Sequence, residues 1–172
     1  MTLIKSISGI RGTIGGKFGE NLTPLDLTIF LSAYAMRLKE KFPKNNNLSV
    51  VLGRDGRISG QLIHQLTNSV LRFNGISVLD LNLATTPTVE MSVIQNKAQG
   101  GIILSASHNP EQWNALKLLD EKGEFLSADE GNIIFQAKFT VQPTDDLEQI
   151  SKNISKLEMQ YYPIAIARIL QV

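Results

Sequence analysis

The sequence predicts an α/β fold: a three-layer α/β/α sandwich on a mixed four-stranded sheet, three strands parallel and the last antiparallel, plus an N-terminal hairpin. Short apolar, β-branched runs at 48–53, 76–83 and 102–104 alternate with longer stretches whose apolar residues recur at helical spacing. Stretches of that length between strands leave room for parallel crossovers. After the third run, the next strand-like segment, 115–120, arrives too soon for a crossover, so it should run antiparallel to its predecessor.

Each element has a local cause. Thr23-Pro24-Leu25-Asp26 is a helix start: Thr23 caps, Pro24 suits the first helical position, and Asp26 reaches back. Leu27, Phe30, Leu31, Tyr34 and Leu38 then form the apolar stripe, and Asn45-Asn46-Asn47 a loop. Leu48 to Gly53 reads as a buried strand. Ser59 is expected to cap a second helix bearing Leu62, Ile63, Leu66, Val70 and Phe73, which Asn74-Gly75 stops. Ile76 to Leu83 is a further strand, Thr86-Pro87 opens a third helix carrying Val89, Val93 and Ile94, and the strand at Ile102 to Leu104 follows. Beyond the fourth strand, Glu121-Lys122-Gly123-Glu124 turns the chain. Ser127-Ala128-Asp129-Glu130 is a capping box expected to start a helix with Ile133, Ile134 and Phe135. Composition shifts near Thr140, with a linker-like Gln142 to Asp146, and Tyr162, Ile166, Ile169 and Leu170 lie at helical spacing near the end. The expected organisation is a domain over 1–140, then a linker and helix over 141–172 leading to a second domain, so that the chain reads as the N-terminal piece of something larger.

At 172 residues, 42% hydrophobic and 19% charged, the chain has the balance of an ordinary globular protein. Seventeen Lys and Arg against 16 Asp and Glu, with no polybasic run, suggest neither nucleic acid nor an anionic membrane as partner. The lack of cysteine excludes disulfides, thiol catalysis and zinc–thiolate sites. Met1-Thr2-Leu3-Ile4-Lys5 does not read as a signal peptide and no apolar stretch is long enough to span a bilayer, so the expected location is cytoplasmic.

The most informative stretch is Gly100 to Pro110, in which a buried strand ends in Ser105-Ala106-Ser107-His108-Asn109-Pro110. It delivers a nucleophile-capable hydroxyl and an imidazole to the carboxyl edge of the sheet, where ligands of open α/β folds sit. Ser107 and His108 are neighbours and so point to different sides, and no Gly-x-Ser-x-Gly elbow is present; a hydrolase-type pair is awkward. A phosphate-accepting serine requires less: exposure, nearby cations and a metal. Lys117 can supply one cation. Arg11, in Gly9-Ile10-Arg11-Gly12, is either a hairpin arginine or a phosphate contact. In Gly53-Arg54-Asp55-Gly56-Arg57-Ile58-Ser59-Gly60, an Asp55–Arg57 turn fixing the loop and a direct substrate contact are both open. His64 lies within a helix and receives no role.

Ser105 to Pro110 resembles the active-site signature of the α-D-phosphohexomutases, which include phosphoglucomutase, phosphomannomutase and phosphoglucosamine mutase. Gly9-Ile10-Arg11-Gly12, Gly53-x-Asp55-x-Arg57-x-Ser59-Gly60 and Trp113-Asn114-Ala115-Leu116-Lys117 match in the same order. The resemblance covers roughly residues 1 to 140. It implies that Ser107 carries a phosphoryl group, donates it to a sugar monophosphate, and recovers the other phosphate of the resulting bisphosphate. It further implies that Arg11 and Lys117 contact that group, with Lys117 a candidate acid/base, that His108 lies near it, and that Asn109 shapes the loop. Ser105 and Arg57 are expected to bind substrate or phosphate. Mg²⁺ is implied, with Ser107 one ligand and the rest in a second domain, as is a hexose 1,6-bisphosphate activator. The implied partners are a sugar phosphate and the remaining domains of the same enzyme. The family's Asp-x-Asp-x-Asp-Arg loop does not occur here, since Asp145-Asp146 lacks its spacing, and Ala115 stands where many members have glycine. The sugar- and phosphate-reading loops of later domains are absent too, so the chain alone is expected to fold without turning over substrate. Ser105, where many members have threonine, tilts the specificity towards phosphoglucosamine mutase. The alternative is a non-catalytic phosphosugar-binding or assembly module.

Overall fold

The N-terminal hairpin joins the sheet instead of standing beside it. In the computed structural model, which describes residues 2–6 and 9–126 together with Gln149, Asn153 and Lys156, six strands lie in one sheet. They are β1 (Ile4–Ser6), β2 (Gly9–Thr13), β3 (Ser49–Arg54), β4 (Ser77–Leu83), β5 (Gly100–Leu104) and β6 (Trp113–Leu119), in the order β1-β2-β6-β5-β3-β4. The expected four are all present: β3 runs parallel to both β4 and β5, and β6 antiparallel to β5. The hairpin adds the other two by pairing β2 antiparallel to β6, which covers an edge that β6 would otherwise leave unpaired.

Three helices make the outer layers: α1 (Pro24–Lys41), α2 (Gly60–Phe73) and α3 (Thr86–Gln95). Strand alternation sorts the core between the two faces. Val50, Leu52, Ile102, Leu104 and Leu116 pack with Leu31 and Leu38 of α1 and Ile63 and Leu71 of α2. Val51, Ile103 and Leu119 meet Val89 and Val93 of α3 on the other face. The start of α1 is the expected capping box: the Asp26 amide donates to the Thr23 hydroxyl at 3.3 Å, and the Asp26 carboxylate accepts the Thr23 amide at 3.1 Å.

Some expectations are corrected. Ser59 makes no side-chain cap; its backbone is already helical, and its hydroxyl accepts from the Asn114 amide group at 3.0 Å. Leu62 and Phe73 are 72% and 95% exposed, because the contact stripe of α2 runs through Ile63, Leu66, Val70 and Leu71. Ile94 is likewise exposed at the end of α3. The linker at 142–146, the helices expected from Ser127 and near Tyr161, and the boundary at 140 lie outside the described residues.

Candidate functional site

Leu104, Ser105 and Ala106 are buried, and the chain surfaces abruptly at Ser107 and His108, both exposed. Ser107 takes a left-handed backbone conformation, φ 53°. For a residue with a Cβ this costs about 1–2 kcal/mol and persists only where the surroundings fix it. They do so from both sides. The Ser107 amide donates to the buried Ser105 hydroxyl at 3.2 Å, and its carbonyl accepts from the Arg57 guanidinium at 2.9 Å. Beyond it, Asn109 N–H to Ala106 and Trp113 N–H to Pro110, both 3.0 Å, fold the loop back into β6.

The ammonium of Lys117 donates to Ser107 Oγ at 2.7 Å. Lys117 lies two residues along β6 from Ala115, and Ala115 sits opposite Arg11 on β2, so Arg11 and Lys117 share the face that α3 partly covers. Close pairing here demands glycine at position 9 (φ 106°), since a Cβ would strike the Leu116 carbonyl. Burial pushes the Lys117 ammonium below its usual value; Asp55 and Glu90 oppose that shift and the charge of Arg11 adds to it. Arg11 Nε is buried without a hydrogen-bond partner, a donor free for an anion.

Arg57 and Ser105 are not placed as expected. The Arg57 side chain is only 12% exposed, and its five N–H groups are committed within the protein. Nε donates to Asp55 at 3.2 Å, and the two terminal nitrogens to the carbonyls of Pro110 (2.7 Å), Trp113 (3.0 Å), Ser107 (2.9 Å) and Asn109 (2.7 Å). No donor remains for phosphate. Of the two open readings, the Asp55–Arg57 turn is the observed one. Ser105 is buried beneath the loop, its hydroxyl engaged with the Ser107 amide, so it supports the loop instead of facing a ligand. Asn109 is half-buried within the turn, and its side-chain Oδ1 is buried without a hydrogen-bond partner.

Sequence reasoning missed Glu90, whose place on α3 brings its charge to bear on Lys117; no local motif signals it. His64 contacts Asp80 of β4 at 2.8 Å, an ordering contact. Chemically, the site is an accessible hydroxyl in fixed geometry against one cation, with a second on the same face. That suits a dianion on Ser107 Oγ, or passage of a proton between that oxygen and Lys117. Among the described residues no three His, Asp or Glu side chains converge where they could hold a metal. The described residues thus do not by themselves make up a Mg²⁺ site. No helix among them is long and apolar enough to cross a membrane.

The family model described as phosphoglucomutase/phosphomannomutase, alpha/beta/alpha domain I, matches residues 3–145. A phosphoglucosamine mutase from Prochlorococcus marinus (strain MIT 9312) is 31% identical over 88% of this chain and 32% of its own length. One from Pediococcus pentosaceus is 37% identical over 69% of the chain and 25% of its own. A crystal structure of a protein assigned as a phosphomannomutase, from Thermus thermophilus, superposes with a TM-score of 0.64 at 28% identity. It covers 76% of this chain and 28% of that one. The chain thus spans about a third or less of these relatives. The motifs, the sheet order and the family match agree: the chain belongs to the α-D-phosphohexomutase superfamily, as its α/β/α domain I.

Proposed function

We propose that this chain is the phosphoserine-bearing domain of a mutase that interconverts sugar 1- and 6-phosphates, with Ser107 as the relay point. The observation that carries the reading is the 2.7 Å contact between Lys117 Nζ and the exposed Ser107 Oγ. In the forward step the P–O bond of phosphoserine breaks as a sugar hydroxyl bonds to phosphorus. Lys117 in its neutral form is the candidate base: it takes the hydroxyl proton and, 2.7 Å from Ser107 Oγ, returns it to that oxygen as the bond to phosphorus breaks, while the Arg11 charge offsets the transferring group. The reverse step, with the bisphosphate turned round, restores the phosphoserine. The protein's contribution is alignment and charge compensation, which dominate the catalysis of phosphoryl transfer.

Mg²⁺, when bound, neutralises charge on the transferring group; this chain supplies Ser107 to it, and the other ligands come from a further domain. A hexose or hexosamine 1,6-bisphosphate serves as activator by phosphorylating Ser107. The phosphoglucosamine relatives, together with Ser105, support a hexosamine phosphate as substrate. A cytoplasmic location accords with a phosphorylated sugar substrate. The test is intact-mass measurement after incubation with a hexose 1,6-bisphosphate and Mg²⁺. In a protein that carries the remaining domains, the wild type gains one phosphoryl group and Ser107→Ala gains none; equal gain by both overturns the reading.

A further inference from the structure

We propose that Arg57 is a positioning residue for Ser107, a strap rooted on β3 that fixes the two dihedrals of the residue bearing the reacting oxygen. The inference rests on the reading of Ser107 as phosphoryl carrier. A residue's φ and ψ are set by the peptide planes on either side of it. The plane before Ser107 is pinned through its N–H to Ser105 Oγ, and the plane after it through its carbonyl to Arg57. Those two planes fix the Cα–Cβ bond of Ser107, and one χ1 rotation then brings Oγ to Lys117 Nζ at 2.7 Å.

Of the other three carbonyls bound by Arg57, those of Asn109 and Pro110 belong to the same loop and that of Trp113 opens β6, so one guanidinium ties the whole return from Ser107 to β6. Asp55 anchors the strap in turn. Its carboxylate takes the Arg57 backbone N–H at 3.1 Å with one oxygen and Nε at 3.2 Å with the other, while its own N–H donates to the Leu104 carbonyl at 3.0 Å. The load path therefore runs from the β3–β5 ladder through Asp55 and Arg57 to Ser107. A lysine could not replace it: an ammonium has three donors on one nitrogen, whereas the planar fork reaches four carbonyls and a carboxylate.

The experiment compares the wild-type chain with Arg57→Lys, Arg57→Gln and the milder Asp55→Asn. One readout is amide exchange at Ser107, Asn109 and Trp113; the other, with the same substitutions in a protein that carries the remaining domains, is the rate of phosphoryl gain from hexose 1,6-bisphosphate. Arg57→Gln and Arg57→Lys both speed exchange at those amides about tenfold or more, with the β3–β5 and β5–β6 ladder amides unchanged, and Asp55→Asn gives a smaller rise. Phosphoryl gain slows in the same order. Should Arg57→Gln loosen the whole domain, Asp55→Asn carries the comparison. Loop exchange equal to wild type in all three variants overturns the proposal, as does wild-type phosphorylation in Arg57→Lys, which would show that only the charge matters. If the wild-type protein with its remaining domains takes no phosphate, the carrier reading fails while amide exchange still decides on the strap.

Discussion

Ser107 is held by its surroundings at the backbone and at the hydroxyl. A serine hydroxyl is a weak nucleophile and a poor leaving group, and the left-handed backbone at 107 places it where Lys117 meets it directly. In a protein that carries the remaining domains, Ser107→Ala abolishes mutase turnover and leaves the thermal midpoint within a few degrees of wild type, checked by coupled assay and circular dichroism; wild-type turnover would remove Ser107 from its role. Lys117 is held at a cost. Its ammonium titrates below the usual 10.5 because it is partly buried. The unfolded chain therefore binds more protons than the folded one between the folded value and 10.5, and stability rises with pH across that window. Lys117→Met loses this rise. Thermal midpoints measured from about neutrality to about pH 11 should show the wild type gaining on the variant in the alkaline range; parallel profiles would contradict a depressed lysine.

At the level of elements, legibility in the sequence tracked how local the cause was. The Thr23–Asp26 capping box and the Asn74-Gly75 stop depend on a few neighbouring residues, and both stand as read. Ser59 failed as a cap because the Asn114 side chain, 55 residues away, engages its hydroxyl. Leu62 and Phe73 fit the helical period but not the contact stripe, whose width is set by how α2 lies on the sheet. In the site, Ser107, Lys117 and Arg11 were legible as motif residues and the Asp55–Arg57 turn as one of two readings, whereas the grip of Arg57 on four carbonyls was not, because those partners converge only in three dimensions. Packing of the strands gives its own prediction. The Tyr34 hydroxyl donates to the Leu119 carbonyl at 2.7 Å directly beside Gly100, where an added Cβ would collide with that hydroxyl and lie 2.8 Å from the Leu119 oxygen. Gly100→Ala therefore destabilises by about 1–3 kcal/mol, the range of core overpacking, and Ile102→Ala by about 2–5 kcal/mol through the cavity it leaves. Urea titration checks both, and a midpoint unchanged in either variant would refute the packing described.

Across the whole chain, residues Met1–Glu130 form one compact unit with a core on each face of its sheet. Such a unit is expected to unfold cooperatively on its own. Yet the described residues bring together a serine hydroxyl and two cations without three His, Asp or Glu side chains that could hold a metal. On the proposed reading the other domains supply those parts: a steady-state assay of this chain with hexosamine 6-phosphate should show no turnover, and full activity would refute this division of labour.

The most direct test of Ser107 as a relay beside Lys117 is site-resolved phosphopeptide mapping after brief exposure to a hexose 1,6-bisphosphate. Phosphate should be confined to Ser107 and arrive about a hundredfold more slowly in Lys117→Met, the usual scale for losing one charge-stabilising donor. Phosphate on another residue, or equal labelling rates in the two proteins, would contradict the relay.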